Sequence, residues 1–221
     1  SIYTQKYTAI AGVSNIGLDA NWCGHDIAQS NWYAFGRQAW ENQITSAQIA
    51  DEWIKLTFGN TADVKNTEWN NNFLTPVKQM MLDSREAVVN YMMPLGFHHI
   101  FSADEHYGPG PWWAPKGMRA DWTPPYYHQA AADGVGFNRT RTGSNAVEQY
   151  HEPLASQFND PKTCPENVLL WFHHLPWDYK MKSGRTLWDE ICYHYATGLE
   201  QVNEFQKIWD KVEKYVDKGR F

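Results

Sequence analysis

Apolar residues recur along this chain mostly with helical spacing. Within Asp26 to Trp40 they fall at positions 27, 28, 32, 35 and 39, one face of a helix. Thr45 followed by Gln48 has capping-box spacing. Ile49, Trp53 and Leu56 then share a face until Gly59, where the helix is expected to stop. Thr75-Pro76 has the form of an N-cap and N1 pair, opening a helix that carries Val77, Met80, Met81, Val88 and Met92 and stops at Pro94. The polar run Asn66 to Asn72 is expected to be the loop before it. Cys164-Pro165-Glu166 starts a further helix through Val168, Leu169 and Phe172 to His174, ended by Pro176. From Thr186 to Asp217 the apolar positions 187, 191, 195, 199, 202, 205, 209, 212 and 216 form the longest stripe, with a bend expected at Gly198.

Two stretches depart from this pattern. Residues 7–14 (YTAIAGVS) read as a short buried strand, and Asn15 to His25 as a polar loop leading into the first helix. Strand, loop and helix in that order make one βα unit, whereas a closed barrel needs eight, so any such barrel lies mostly outside these residues. Between Phe101 and Pro161 no period survives, and Gly, Pro and aromatic residues dominate. So long an irregular stretch is expected to be functional or to pack on a neighbouring domain or subunit. There is no internal repeat. The expected fold is mainly α: a helical region with long irregular loops, residues 1–40 able to hold one βα unit and its loop and residues 41–221 forming a helical domain.

Composition narrows the function classes. The 221 residues carry 25 acidic and 19 basic side chains, a net charge of −6, with no basic stripe for a nucleic-acid backbone. No apolar run approaches the ~18 residues of a membrane span, and no secretory leader pattern opens the chain. A soluble protein without nucleic-acid or membrane partners is expected. Aromatic residues reach 15%, with twelve Trp and twelve Tyr, although mean hydropathy is −0.62. Such content demands a packed core, and it also suits sugar surfaces, because Trp and Tyr offer a flat apolar face with a polar edge. Cys23, Cys164 and Cys192 are odd in number and widely spaced, which excludes a disulfide framework and a zinc ribbon. Asn138-Arg139-Thr140 is a formal glycosylation sequon, read here as a chance occurrence.

Several chemical motifs can be tested directly. Gly108-Pro109-Gly110 and Gly134-Val135-Gly136 lack the third glycine of a dinucleotide fingerprint, and Gly12-Val13-Ser14 is followed by Ile16 where a nucleophile elbow needs glycine. The doublets His98-His99 and His173-His174, and Glu105-His106, lack the i, i+4 spacing of helical metal ligands, so no metal site is expected. Asp104, Glu105 and Asp121 lie beside Trp112, Trp113 and Trp122, a composition that suits glycoside hydrolysis by two carboxylates. The plainer reading pairs these acids with Arg119, Arg139 or Arg141. Glu166, near a helix start, reads as a dipole-stabilising charge. If the βα unit holds, the loop carrying Asn15, Asp19, Asn21, Trp22 and His25 sits where barrel enzymes build their active sites.

The segment NIGLDANWCGHDIAQSNWYAFGRQAWENQITSAQIADEWIKLTFG, followed in order by YMMPLGFHHIF, HYGPGPWW, RADWTPPYYHQA, GVGFNRT, GSNAVEQY and TCPENVLLWFHHLPWDYKMKSGRTLWDEICYHY, resembles the C-terminal region of family 67 α-glucuronidases from about residue 10 to 205. The resemblance implies an enzyme that removes 4-O-methylglucuronic acid, linked α-1,2 to xylose, from glucuronoxylan-derived oligosaccharides, with inversion and without a metal or other cofactor. It further implies an architecture of N-terminal α/β domain, central (β/α)8 barrel and helical C-terminal region, the last packing on the barrel and supplying homodimer surface. The family's acid, base and most of its uronate-holding cations belong to the barrel. No catalytic residue is therefore expected in this chain, and the partners expected are the rest of the same enzyme, a second copy and the oligosaccharide. Trp22 and Trp40, with His25 as polar neighbour, are the candidate substrate-binding residues. Because bacterial members act on imported oligosaccharides, the cytoplasm is the expected compartment, with periplasmic or secreted forms open. Two other readings are an independent carbohydrate-binding module and a self-sufficient hydrolase using Glu105 and Asp121.

Overall fold

The computed structural model describes residues 6–7, 9–13, 18, 26–60, 62–97 and 115–220, the side chains at 122 and 124 excepted. These residues are mainly helical. In chain order the helices are α1 (Asp26–Trp40), α2 (Ser46–Phe58), α3 (Thr67–Trp69), α4 (Thr75–Met92), α5 (Pro124–Tyr127), α6 (Leu154–Asn159), α7 (Leu169–Phe172) and α8 (Leu187–Lys211), with short 3-10 turns between them. Among the described residues β structure is confined to isolated antiparallel bridges. No helix there is long and apolar enough to cross a membrane. Tyr7 and residues 9–13, the described part of the expected strand 7–14, have no β pairing. Gly12 instead lies against the rings of Trp32 and Phe35, close enough that a Cβ would meet Trp32 at 2.9 Å.

The chain divides into two compact units, Ser1–Asp83 with Gln206–Phe221, and Ser84–Phe205. The first is centred on aromatic rings. Phe73 is wholly buried and its ring lies 5.4 Å from Phe58, 5.2 Å from Trp69 and 5.7 Å from Tyr215. Trp53, Ile54, Leu74, Val77 and Val212 complete this core. The expected capping box forms: the Thr45 hydroxyl accepts from Gln48 N–H, and the Gln48 side chain accepts from Thr45 N–H at 2.9 Å. Across α1 and α2, Arg37 donates twice to Glu52, at 2.7 and 3.1 Å, and the Tyr33 hydroxyl donates to the same carboxylate at 3.1 Å.

One helix start is corrected. Thr75-Pro76 does not begin a helix, because the chain is already helical at Thr67. There Asn66 is the cap, its side-chain oxygen accepting from Glu68 and Trp69 N–H. A wide π-turn, Asn70–Leu74, joins α3 to α4. Proline lacks the N–H of a regular turn, and its ring crowds the carbonyl four residues back. The widened turn immediately before Pro76 relieves both constraints, so residues 67–72 of the supposed loop are helical.

The second unit has a core of Leu95, Phe97, Val135, Val147, Cys164, Leu169, Leu170, Phe172, Leu175, Met181, Leu187 and Ile191. Its described irregular part, from residue 115 onward, is built around two extended runs. Val135 and Leu175 exchange backbone hydrogen bonds of 2.9 Å, Phe137 N–H reaches Leu170 O at 3.2 Å, and Arg139 N–H reaches Phe172 O at 2.9 Å. Gly136, at φ 98°, lies so close to the facing strand that a Cβ would sit 2.2 Å from His173 O.

The last helix, Leu187 to Lys211, differs from the expected stripe in the face it turns inward. Its inward face passes through Leu187, Ile191, His194, Gly198 and Gln201, while Leu199 and Val202 of the expected stripe are exposed. The reason is a polar seam with α4: His194 Nδ1 lies 2.8 Å from Asn90 Oδ1, and Asn90 Nδ2 donates to Gln201 at 2.9 Å. Gly198 fits between them, where a Cβ would stand 2.6 Å from Tyr91 N and 3.1 Å from Ala87 O.

These packings make two tests. Replacing Ile54, 0% exposed, by alanine is expected to lower unfolding free energy by about 2–5 kcal/mol, whereas Leu56→Ala one turn-face away, at 71% exposure, should change it by less than about 0.5 kcal/mol. Urea denaturation of both variants checks the contrast. Gly198→Ala should gain about 1 kcal/mol from helix propensity alone, yet the Tyr91 contact is expected to reverse the sign, with a net loss of about 1–3 kcal/mol. A melting temperature at or above that of the unaltered protein would refute this packing argument.

Candidate functional site

Of the three candidate substrate-binding residues, Trp22 and His25 lie outside the described residues, as do Asn15, Asp19 and Asn21. Trp40 is the final residue of α1 and is 89% exposed. A tryptophan that presents nearly its whole surface at a helix end has the form suited to stacking on the apolar face of a sugar. On the same helix, Phe35, Gln38 and Ala39 border a cavity of about 690 Å³ together with Ala9, Ile10 and Asn42. Trp40 does not line that cavity. Residues 35 and 39 share a helix face, and residue 40 points about 100° away from it.

The acidic candidates separate. Asp104 and Glu105, with Trp112 and Trp113, lie outside the described residues. Asp121 is clamped by Arg119, with Nε to Oδ1 at 3.1 Å and Nη2 to Oδ2 at 2.6 Å. The Arg119 hydrogen bonds hold the Asp121 carboxyl below the usual carboxylate range. Such a group stays ionised and is poorly suited to donate a proton as a general acid. Arg141 pairs with Glu152 at 3.3 Å. Arg139, which sequence pairs with a loop acid, instead stacks its guanidinium over Phe137 at 4.3 Å and Trp171 at 3.9 Å, and donates to Trp171 O at 2.6 Å.

His98, His99 and His106 lie outside the described residues, but His173-His174 is resolved in detail. His173 follows α7 in extended backbone, so the two rings point to opposite sides. The His173 ring is buried, and burial pushes its pKa down against a hydrogen bond to the Phe158 backbone. The His174 ring turns the other way, with Nδ1 2.8 Å from Gly136 O and Nε2 3.7 Å from Asp133. The doublet joins two packed segments and does not chelate. Cys164 is buried, its thiol pushed up to about 11 by burial, and Cys192 is exposed; both are free thiols.

Glu166 sits in the first turn of the 3-10 helix Glu166–Val168. Its carboxylate also accepts the backbone N–H of Lys182 at 3.0 Å, tying that turn to the hairpin ahead of α8. Glu190, on α8, accepts from the Ser183 hydroxyl and from Arg185 at 3.3 Å. Asp51 lies between Lys55 and Lys78, and Glu52 holds Arg37 and Tyr33. Sequence reasoning passed over one feature here, a cavity bordered by Lys162, Lys180 and Lys182. These residues are dispersed over twenty positions, and no spacing rule links them.

Comparison with known proteins gives this geometry a family. The family model described as the glycosyl hydrolase family 67 C-terminus matches residues 23–221. Alpha-glucuronidase A of Emericella nidulans is 32% identical over 213 residues, 96% of this chain and 24% of that protein. The probable alpha-glucuronidase A of Aspergillus niger is 33% identical over the same share of each. The alpha-glucuronidase of Hypocrea jecorina is 30% identical over 222 residues, all of this chain and 25% of that protein. The chain thus spans about a quarter of the length of these relatives. With the match extending over nearly its whole length, the chain belongs to glycosyl hydrolase family 67, corresponding to the family's C-terminal part.

Proposed function

We propose that this chain is the helical accessory region of an α-glucuronidase that hydrolyses α-1,2-linked (4-O-methyl)glucuronic acid from xylo-oligosaccharides with inversion. In this reading the acid and base belong to a barrel upstream, residues 1–40 contribute its last βα unit, and residues 41–221 pack on it and present dimer surface. The observation that carries the reading is the commitment of four carboxylates that are at least partly buried. Asp51, Glu52, Asp121 and Glu190 are each bound to cations or hydroxyls of this chain. An inverting pair needs two carboxyl groups roughly 6.5–9.5 Å apart, facing a sugar across open space. Acids locked into ion pairs serve packing instead. Exposed apolar side chains at Tyr7, Ile10, Val13 and Trp40 support a surface that a neighbouring domain covers.

Trp40 is assigned to the substrate, its indole stacking on a xylose or uronate ring, with Trp22 and His25 contributing from the preceding loop. The reading is tested by glucuronic acid release from a short α-1,2-glucuronosyl xylo-oligosaccharide. This 221-residue chain alone is expected to release none, while the chain joined to its upstream catalytic portion should do so; release by the chain alone would refute the accessory role. In the active enzyme, Trp40→Ala is expected to lower kcat/KM about tenfold, mostly through KM, the loss of roughly one stacking contact. Unchanged kinetics would remove Trp40 from the substrate site.

A further inference from the structure

Six of the arginines in this chain are paired with its own carboxylates: Arg37 with Glu41 and Glu52, Arg85 with Glu86, Arg119 with Asp121, Arg141 with Glu152, Arg185 with Glu190, and Arg220 with Asp26 and Asp217. Arg139 is the exception, with no carboxylate within 4.0 Å among the described residues. It is half-buried, and burial pushes its pKa down. A buried lysine or histidine can shed its proton, but a guanidinium keeps its charge, so the cost of desolvation has to be met by neighbours.

The second unit meets that cost only in part. The rings of Phe137 and Trp171 lie 4.3 and 3.9 Å from the guanidinium carbon, and one N–H donates to Trp171 O at 2.6 Å. The remaining guanidinium N–H groups have no acceptor among the described residues. The ionisable group that acts on Arg139, the Tyr150 phenol, is uncharged at neutral pH. The backbone holds the residue in place, because Arg139 N–H donates to Phe172 O at 2.9 Å and Arg139 O accepts from Val147 N–H at 3.1 Å. A guanidinium fixed against rings, with donors left over, is ready to take a carboxylate through two parallel hydrogen bonds. Acids of the same unit are committed elsewhere: Asp121, Glu152 and Glu190 to other arginines, and Asp133 stands 3.7 Å from His174.

We propose that Arg139 is a docking point between this chain and the catalytic portion of the same enzyme, taking an aspartate or glutamate of that portion in a two-pronged ion pair. The choice of partner rests on the accessory role proposed above and on the span of the chain, about a quarter of the length of its relatives. The rings of Phe137 and Trp171 set the direction of the fork, and the incoming carboxylate supplies the charge that the second unit lacks.

Carboxyl labelling of the complete enzyme tests this, with a water-soluble carbodiimide and glycinamide as probe and mass spectrometry to locate the labelled acids. In Arg139→Met, one acid outside these 221 residues is expected to label about fivefold faster than in the wild type, while Glu152 and Asp160 label unchanged. Arg139→Lys, which keeps the charge without the fork, should give an intermediate rate, and it decides the matter if Arg139→Met fails to fold. Arg139→Glu combined with arginine at the acid so identified should recover the melting temperature that Arg139→Glu alone loses. Labelling that rises only within the 221 residues, Asp104 and Glu105 included, or that rises nowhere, would overturn the proposal. So would a KM for the uronosyl oligosaccharide that rises in Arg139→Lys while upstream labelling stays constant, since Arg139 would then face substrate. A wild type that releases no glucuronic acid yet shows the labelling difference would refute the proposed function and leave the docking contact standing.

Discussion

Backbone pressed directly on backbone, at Gly134–Gly136 against His173–Leu175, is the contact from which the second unit is assembled. No side chain fits between the two runs. Their bridge at Val135 and Leu175 sends His173 to one side and His174 to the other, and brings Arg139 between two aromatic rings. The same approach brings the Trp177 indole within 2.7 Å of Ala131 O, so the hairpin that follows starts from an anchored position. From there Leu187 N–H donates to Tyr179 O at 2.8 Å, and α8 begins. A stretch without periodicity can thus be as firmly determined as a helix, provided each turn returns its hydrogen bonds to another segment.

The first unit rests on a different principle. Its segments meet through ring edges and faces around Phe73. Aromatic rings bury much surface per residue, which lets a chain of mean hydropathy −0.62 form a dry interior from few positions. Part of the tryptophan that suggested sugar binding is accounted for here: Trp53 and Trp69 are core. Trp40, fully presented at the end of α1, is the contrasting case.

The helices were legible where the signal was local. The Thr45–Gln48 cap and the limits of α1 follow from neighbouring residues, and the structure has them where the pattern puts them. Thr75-Pro76 misleads because the same dipeptide suits a helix start and the exit from a π-turn, and only contacts from Phe73 and Trp69 decide between them. On α8 the apolar stripe was visible, but the helix turns a face with His194 and Gln201 toward α4, since Asn90 offers these groups partners and Gly198 permits close approach. The candidate site was less legible. Family resemblance points to Trp22, His25 and Trp40 as a group, whereas pairings such as Arg119 with Asp121 depend on side-chain reach that spacing does not encode. The three lysines come together through the fold alone.

Division of the chain into Ser1–Asp83 with Gln206–Phe221 and an inserted Ser84–Phe205 has a consequence for the order of synthesis. Val212, Trp209 and Tyr215 pack into the aromatic core that the first eighty residues begin. A ribosome therefore releases α1 and α2 long before the residues that close over them. The inserted unit is complete in sequence once residue 205 emerges and holds its own core, while the amino-terminal unit waits with its rings partly uncovered until the last turn is made. Vectorial translation, which usually favours whichever segment appears first, here gives the middle of the chain the earlier chance to finish.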